Sequence, residues 1–172
     1  MGETGTLYFF TGLAGAGKTT IGTLFYERLK RVHPDAVLLD GDQVRKEGGD
    51  HDYSTEARKR GGLGTAARCR SFTEQGLDVV NCNMALYREV RQWYRENVPN
   101  YREIYVRVSM ETLFRRDKKN LYTSGVKQVV GLDLPWDEPD TPDIIIDNDG
   151  AETPQQIVER LLCFFGIEGE GS

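Results

Sequence analysis

The chain reads as a three-layer α/β domain, with a five-stranded parallel sheet and helices on both faces. Three observations predict this. Hydrophobic runs of strand length alternate with amphipathic segments of helix length along most of the sequence. The segments between successive strands are long enough for crossover helices, which makes the strands parallel and the crossovers right-handed. The chain has 172 residues, 38% of them hydrophobic, with 8 Tyr, 7 Phe and 2 Trp, which suffices for one ordinary core and leaves little room for a second domain.

The elements follow in order. Residues 6–11 (TLYFFT) form a continuous apolar run ending in glycine, the pattern of a buried strand. Residues 18–32 carry Ile21, Leu24, Phe25, Leu29 and Val32 at helical spacing, and Pro34 ends that helix. Residues 36–40 (AVLLD) are the second strand. Ser54 is a helix cap, and the helix it opens runs to about Gln75, with Gly76 at its end. Residues 77–82 (LDVVNC) are the third strand, 86–97 a helix stopped before Pro99, 103–108 (EIYVRV) the fourth strand, and 110–118 a short helix. Residues 143–147 (DIIID) are the fifth strand and 154–165 the last helix. The irregular stretch at 118–142, with Pro135, Pro139 and Pro142, is long for so small a domain, and such segments are commonly lids over a site.

Charge and composition exclude several classes. Charged residues make up 28% of the chain and the mean hydropathy is −0.52, as expected of an ordered globular protein. The net charge of −5 (22 Lys+Arg against 27 Asp+Glu) argues against a coat for nucleic-acid polymers. Local basic clusters, Arg58-Lys59-Arg60 and Arg115, Arg116, Lys118 and Lys119, read most simply as solvated helix faces. No apolar run approaches the roughly 18–20 residues that span a bilayer, so no membrane partner is expected. The opening MGETGTLYFFTG has no basic flank and does not read as a secretory signal. Three dispersed cysteines without a CxxC pair fit free thiols in a reducing compartment, so a cytoplasmic location is expected. Cys82 and Cys163 lie in apolar surroundings and are expected to be small core residues.

One motif carries chemistry. Gly12-Leu13-Ala14-Gly15-Ala16-Gly17-Lys18-Thr19 matches GxxxxGK[ST], followed by Thr20, and it sits between a predicted strand and a predicted helix. Its glycines permit a loop whose amides all point inward, and the positive end of the next helix adds to that nest for polyphosphate oxygens. Lys18 reaches the β/γ-phosphates, and Thr19 offers a hydroxyl to Mg²⁺. ATP and Mg²⁺ are therefore the expected cofactors. No [NT]KxD is present, so guanine recognition is unsupported. The third strand ends in Val79-Val80-Asn81-Cys82-Asn83, where motor ATPases and switches carry a Walker-B aspartate.

Carboxylates appear instead after the second strand, in Leu39-Asp40-Gly41-Asp42. The C-terminal ends of neighbouring parallel strands converge on one crevice. Asp42 is thus placed to face the γ-phosphate, either holding a metal-bound water or orienting an attacking hydroxyl and accepting its proton. Asp40 could share that work, and the plain alternative for either is a turn cap. Arg116, with Lys119, lies where a lid could close over the phosphates and exclude water; its plain alternative is an ion pair with Asp117. A small P-loop kinase fold with a lid, acting on a small molecule, fits these features. An ATP-binding regulator or pseudo-kinase without phosphoryl transfer is the competing class.

The residues at this point resemble the adenylyl-sulfate kinase family from about Leu7 to Asp147, through GLAGAGKTT (12–20), LDGDQVR (39–45), RDKKNLY (116–122) and VGLDLPWDEP (130–139). The resemblance implies transfer of the ATP γ-phosphate to the ribose 3′-hydroxyl of a nucleotide 5′-conjugate, a small-molecule acceptor. It implies that Asp42 lies near that hydroxyl, with Lys18 and the transferring phosphoryl, and that Thr19 and Asp42 face the metal. By the same resemblance Arg45 contacts the acceptor, Tyr53 stacks on its base, Arg58 holds its 5′-phosphate and Lys119 matches a lid lysine; Lys127 is a further candidate for holding the acceptor. The family is often dimeric, though no homodimer interface is legible here.

The departures bear on the acceptor. The helix the family writes roughly as DRxxNxRR is here Ala57-Arg58-Lys59-Arg60-Gly61-Gly62-Leu63-Gly64, retaining only Arg58. Its glycines mark either a close backbone approach or a weaker helix. The family's FTGID segment is Val129-Val130-Gly131-Leu132-Asp133, so the second ring of the base clamp is gone, and its SPYR element is Ala85-Leu86-Tyr87-Arg88. These changes resemble a divergent branch that includes cytidine diphosphoramidate kinases. Adenylyl sulfate and cytidine diphosphoramidate both remain candidate acceptors.

Overall fold

The computed structural model describes residues 2–41, 54–117, 125, 130–132 and 135–167. Five strands form one sheet: β1 (Leu7–Thr11), β2 (Val37–Asp40), β3 (Val79–Cys82), β4 (Tyr101–Arg107) and β5 (Ile144–Asp147). Every pairing is parallel and the order is β2-β3-β1-β4-β5, with β1 central. Among the described residues the helices that connect and follow the strands are α1 (Lys18–Val32), α2 (Thr55–Glu74), α3 (Arg88–Asn97), α4 (Met110–Arg116) and α5 (Pro154–Phe165). This is the expected α/β architecture.

All five residues of β1 are buried, because both faces of the sheet are covered. Tyr8 and Phe10 face α1 and α5, packing with Ile21, Phe25, Ile157 and Leu161. Leu7 and Phe9 face α2 and α3, packing with Ala66, Cys69, Val90 and Tyr94. The rings of Tyr94 and Tyr101 stack at 5.4 Å with 3° between their planes.

Local chemistry sets the helix ends. The Ser54 hydroxyl accepts from the Ala57 amide at 3.2 Å, starting α2 where expected. Its other end closes with Gly76 at φ 83 and the Leu77 amide on the Phe72 carbonyl. That closure consumes residues 77 and 78, so β3 begins at Val79 and not at Leu77. Helix α5 opens with a reciprocal capping box between Thr153 and Gln156 and has Pro154 in its first turn. Helix α3 begins at Arg88, two residues later than the periodicity suggests, because Tyr87 is extended and the Leu86 carbonyl accepts from Asp137.

The glycines of α2 divide. A Cβ on Gly62 would stand 3.2 and 3.3 Å from the Val90 methyls of α3, whereas Gly61 and Gly64 face open space. The close-approach reading therefore holds at Gly62 alone. Lys59 pairs with Glu89 at 2.8 Å and lies 5.1 Å from the Tyr87 ring centre, so this member of the basic cluster is tied to α3. Cys69 and Cys82 are buried, but Cys163 is exposed, correcting its expected core placement: it lies on the outer side of α5, opposite the stripe of Ile157, Leu161 and Leu162. Among the described residues no helix is long and apolar enough to cross a membrane.

Candidate active site

The loop between β1 and α1 has the geometry its glycines predict. Gly12, Gly15 and Gly17 all adopt positive φ, at 147°, 81° and 101°. At Gly12 the Val106 carbonyl oxygen lies 2.3 Å from where a Cβ would be, so β4 also excludes a side chain there. Gly17 is the N-cap of α1 and carries no side-chain cap, and the first turn of α1 has no acidic residue. The helix end therefore keeps its positive character. The Lys18 ammonium donates to the Leu13 carbonyl at 2.8 Å, arching back over the loop.

Thr19 and Asp40 meet at the mouth of this loop, the hydroxyl donating to the carboxylate at 3.2 Å. In sheet order β3 lies between β1 and β2, so the carboxylate is two strands from the strand that launches the loop and not on its neighbour. The first turn of α1 spans the gap, because α1 packs down onto β3. A Cβ on Gly22 would stand 2.2 Å from the Cys82 sulfur, and that thiol lies 3.5 Å from the Lys18 carbonyl. Burial pushes the Cys82 thiol up to about 12, with the Asp40 charge adding to the effect, so it stays a neutral packing group.

A cleft of about 490 Å³ opens above the C-terminal ends of the strands. Ala14, Gly15, Gly17, Lys18, Thr19 and Thr20 form its floor. Asp40, Gly41, Asn83 and Met84 form the wall at the ends of β2 and β3; Leu113, Arg116, Asn148 and Pro154 form the opposite wall beyond β4 and β5. Arg116 thus stands on the rim where a lid cation was expected. Gly12 and Ala16 lie behind the floor, buried. Arg58, partly buried in the first turn of α2, is not a lining residue. Asp42, Arg45, Tyr53, Lys119 and Lys127 lie outside the described residues, as does most of the expected lid. Val130 is buried, and Gly131, at φ 90, lies against the Leu13 side chain of the phosphate loop.

Two features escaped the sequence reading. Asn148, just past β5, donates its side-chain amide to the Ala16 carbonyl at 2.8 Å, and a Cβ on Gly17 would stand 2.6 Å from that nitrogen. The strap 135–143, expected to belong to a lid reaching residue 142, is fastened to the body: the Asp137 amide donates to Leu86, Tyr105 to Glu138 at 2.7 Å, and Arg95 to the Thr141 carbonyl at 2.6 Å.

The adenylylsulphate kinase family model matches residues 4–147. The chain belongs to the adenylylsulphate kinase family. Among its relatives, a cytidine diphosphoramidate kinase of Campylobacter jejuni is 34% identical over 160 residues, covering 91% of this chain and 94% of that protein. An adenylyl-sulfate kinase of Clostridium kluyveri is 31% identical over 174 residues, covering 98% of this chain and 87% of that protein. The structure of the Mycobacterium tuberculosis APS kinase CysC in complex with AMPPNP and APS matches with a TM-score of 0.87 at 21% identity, over 96% of this chain and 99% of that one, a likeness of fold.

This adenylylsulphate kinase family member carries its phosphate-binding loop on the central strand, flanked by two unlike walls. The wall at β2 and β3 carries Asp40 and Asn83; the wall at α4 and the turn after β5 mixes apolar Leu113 and Pro154 with Arg116, Asp117, Asn148 and Glu152.

Proposed function

We propose that the protein, as a single kinase domain over residues 1–172, transfers the γ-phosphate of ATP to the ribose 3′-hydroxyl of a nucleotide 5′-conjugate. The observation that carries this reading is the contact between Thr19 and Asp40 at the mouth of the glycine loop. It brings a hydroxyl and a carboxylate, both hard oxygen donors, to the end of an anion nest, a set that suits Mg²⁺ alongside phosphate oxygens and water. Thr19 and Asp40 would hold Mg²⁺, which when bound would supply positive charge that offsets the charge developing on the transferring group.

The chain's own residues do the rest. The loop amides and the α1 N-terminus hold the phosphate tail. Lys18 exchanges the Leu13 carbonyl for phosphate oxygens, leaving the resting contact seen here. Asp40 orients the Thr19 hydroxyl and, with it, would hold the metal. Asp42, two residues on, aims the acceptor hydroxyl; this transition state asks little of a base, so positioning is its main task. Arg116 adds positive charge from the rim. The acceptor lies along the β2/β3 wall, held by Arg45, Tyr53, Arg58, Lys119 and Lys127, and ATP projects its base toward the wall at α4 and α5.

For the acceptor we favour a cytidine 5′-diphosphate conjugate. The absence of a second clamping ring at Val129 and the glycine at position 61 support that choice, as does the 34% identity to a cytidine diphosphoramidate kinase. The test is ATP-coupled turnover with cytidine diphosphoramidate and adenylyl sulfate side by side. Turnover of the first with little of the second is expected. Preference for adenylyl sulfate reverses the choice of base, and ATP binding with turnover of neither overturns the kinase reading.

A further inference from the structure

The loop after β3 is held in an unusual backbone state by a buried arginine. Ala85 has φ 41, the one described non-glycine residue at positive φ, a conformation that L residues adopt only when surroundings impose it. Three bonds impose it, two of them long-range. The Thr11 hydroxyl donates to the Met84 carbonyl at 2.5 Å, Arg91 to the Ala85 carbonyl at 2.6 Å, and the Asp137 amide to the Leu86 carbonyl at 2.9 Å. Arg91 is only 4% exposed, and its second terminal nitrogen donates to the carbonyl of Asp137. The Asp137 carboxylate in turn accepts from the Arg88 amide at 2.9 Å. One guanidinium thus fastens two segments far apart in sequence, and Asn83 and Met84, immediately before the strained residue, form part of the β2/β3 wall of the cleft.

We propose that Arg91 is a positioning residue that ties the strap 135–143 to the loop 83–88, and so sets the β2/β3 wall against which the acceptor is aligned. A guanidinium suits this task because its fork reaches two carbonyls at fixed separation, which an ammonium cannot do at once. Among the described residues its hydrogen-bond partners are two carbonyls and no carboxylate, so the group is aimed at backbone: it orders chain and does not merely neutralise charge. The assignment to the acceptor rests on the reading given above, in which ATP occupies the other side of the phosphate loop.

Hydrogen exchange and steady-state kinetics test this separately. In Arg91→Met, the amides of Arg88 and Asp137 are expected to exchange at least about tenfold faster, together, while those of α5 stay at the wild-type rate. Exchange that rises only in residues 83–88, or in neither segment, overturns the tie. In turnover, Arg91→Met is expected to raise the acceptor KM about tenfold with the ATP KM unchanged, and Arg91→Lys to restore part of that loss. Equal changes in both KM values would mark a merely structural role and overturn the assignment. Asp137 is exposed, so Asp137→Ala supplies a second variant if Arg91→Met does not fold, with faster exchange expected at Arg88 and the same KM split in milder form. A wild-type chain that phosphorylates neither acceptor sinks the functional reading, and the exchange result alone then decides the tie.

Discussion

Asn148 reaches across from the end of β5 to donate to the Ala16 carbonyl at 2.8 Å, filling the space that a side chain on Gly17 would need. The glycine and the asparagine are therefore one device: the first leaves room, and the second holds the Ala16 carbonyl away from the anion nest. A carbonyl turned into that nest would repel phosphate oxygens.

Asn148→Ala should accordingly raise the ATP KM by about tenfold and cost about 1–2 kcal/mol of stability, since it leaves a buried carbonyl unpaired. The acceptor KM should hardly change. Turnover at varied ATP, with urea denaturation of the same samples, checks both; an unaltered ATP KM would remove Asn148 from the site.

Thr19→Ala and Asp40→Asn should shift the Mg²⁺ dependence of turnover to higher concentration, because each removes one member of the 3.2 Å pair. The loss in kcat expected at saturating Mg²⁺ is about 10²–10³-fold, in the range of removing a preorganised electrostatic group. Titrating Mg²⁺ at fixed ATP measures it. Lys18→Ala and Asp42→Asn should each lower kcat by orders of magnitude with the fold intact by circular dichroism. A near-wild-type rate in Asp42→Asn would refute the role proposed for it.

The glycines of α2 predict opposite signs for one substitution. Gly61→Ala and Gly64→Ala meet open space and should each stabilise by up to about 1 kcal/mol. Gly62→Ala presses on Val90, whose branched side chain has little rotameric freedom in a helix, and should destabilise by about 1 kcal/mol. Urea midpoints of the three variants decide it, and the pair Gly62→Ala with Val90→Ala should recover part of the loss.

Stability should fall on the alkaline side. Burial raises the Cys69 and Cys82 thiols from 9.0 to about 12 in the folded chain. Between those values the unfolded chain releases thiol protons that the folded chain retains, so each rise in pH favours unfolding. The contribution is complete below about pH 9 and is lost as pH climbs toward about 12. The urea midpoint should therefore drop between about pH 8 and about pH 10.5, and less so in Cys69→Ala.

Much of this was legible in the sequence where the determinants are local. The strand, glycine turn and helix of residues 7–32 follow from adjacent periodicity and turn chemistry, and α5 occupies the predicted residues because its capping box and proline are written beside it. The start of α3 was misjudged by two residues because a distant partner, Asp137, holds Leu86, and the start of β3 by two because the closure of α2 onto Phe72 takes Leu77. The placement of β3 between β1 and β2 left no local trace, nor did the bonds from Asn148 to Ala16 and from Arg91 to Asp137, whose partners stand 132 and 46 residues apart. The sign that could have pointed to Asn148 was its place just past the fifth strand, where parallel strands deliver side chains to the crevice.

Cys163 gives the molecule a practical handle. With the other two thiols sealed in the core, a maleimide dye added at neutral pH should attach at that one position. It lies nine residues along α5 from Pro154, which lines the cleft, so the dye would sit about 13 Å further along the helix axis. A fluorophore there could report nucleotide arrival by energy transfer from a labelled ligand, with no engineered cysteine needed.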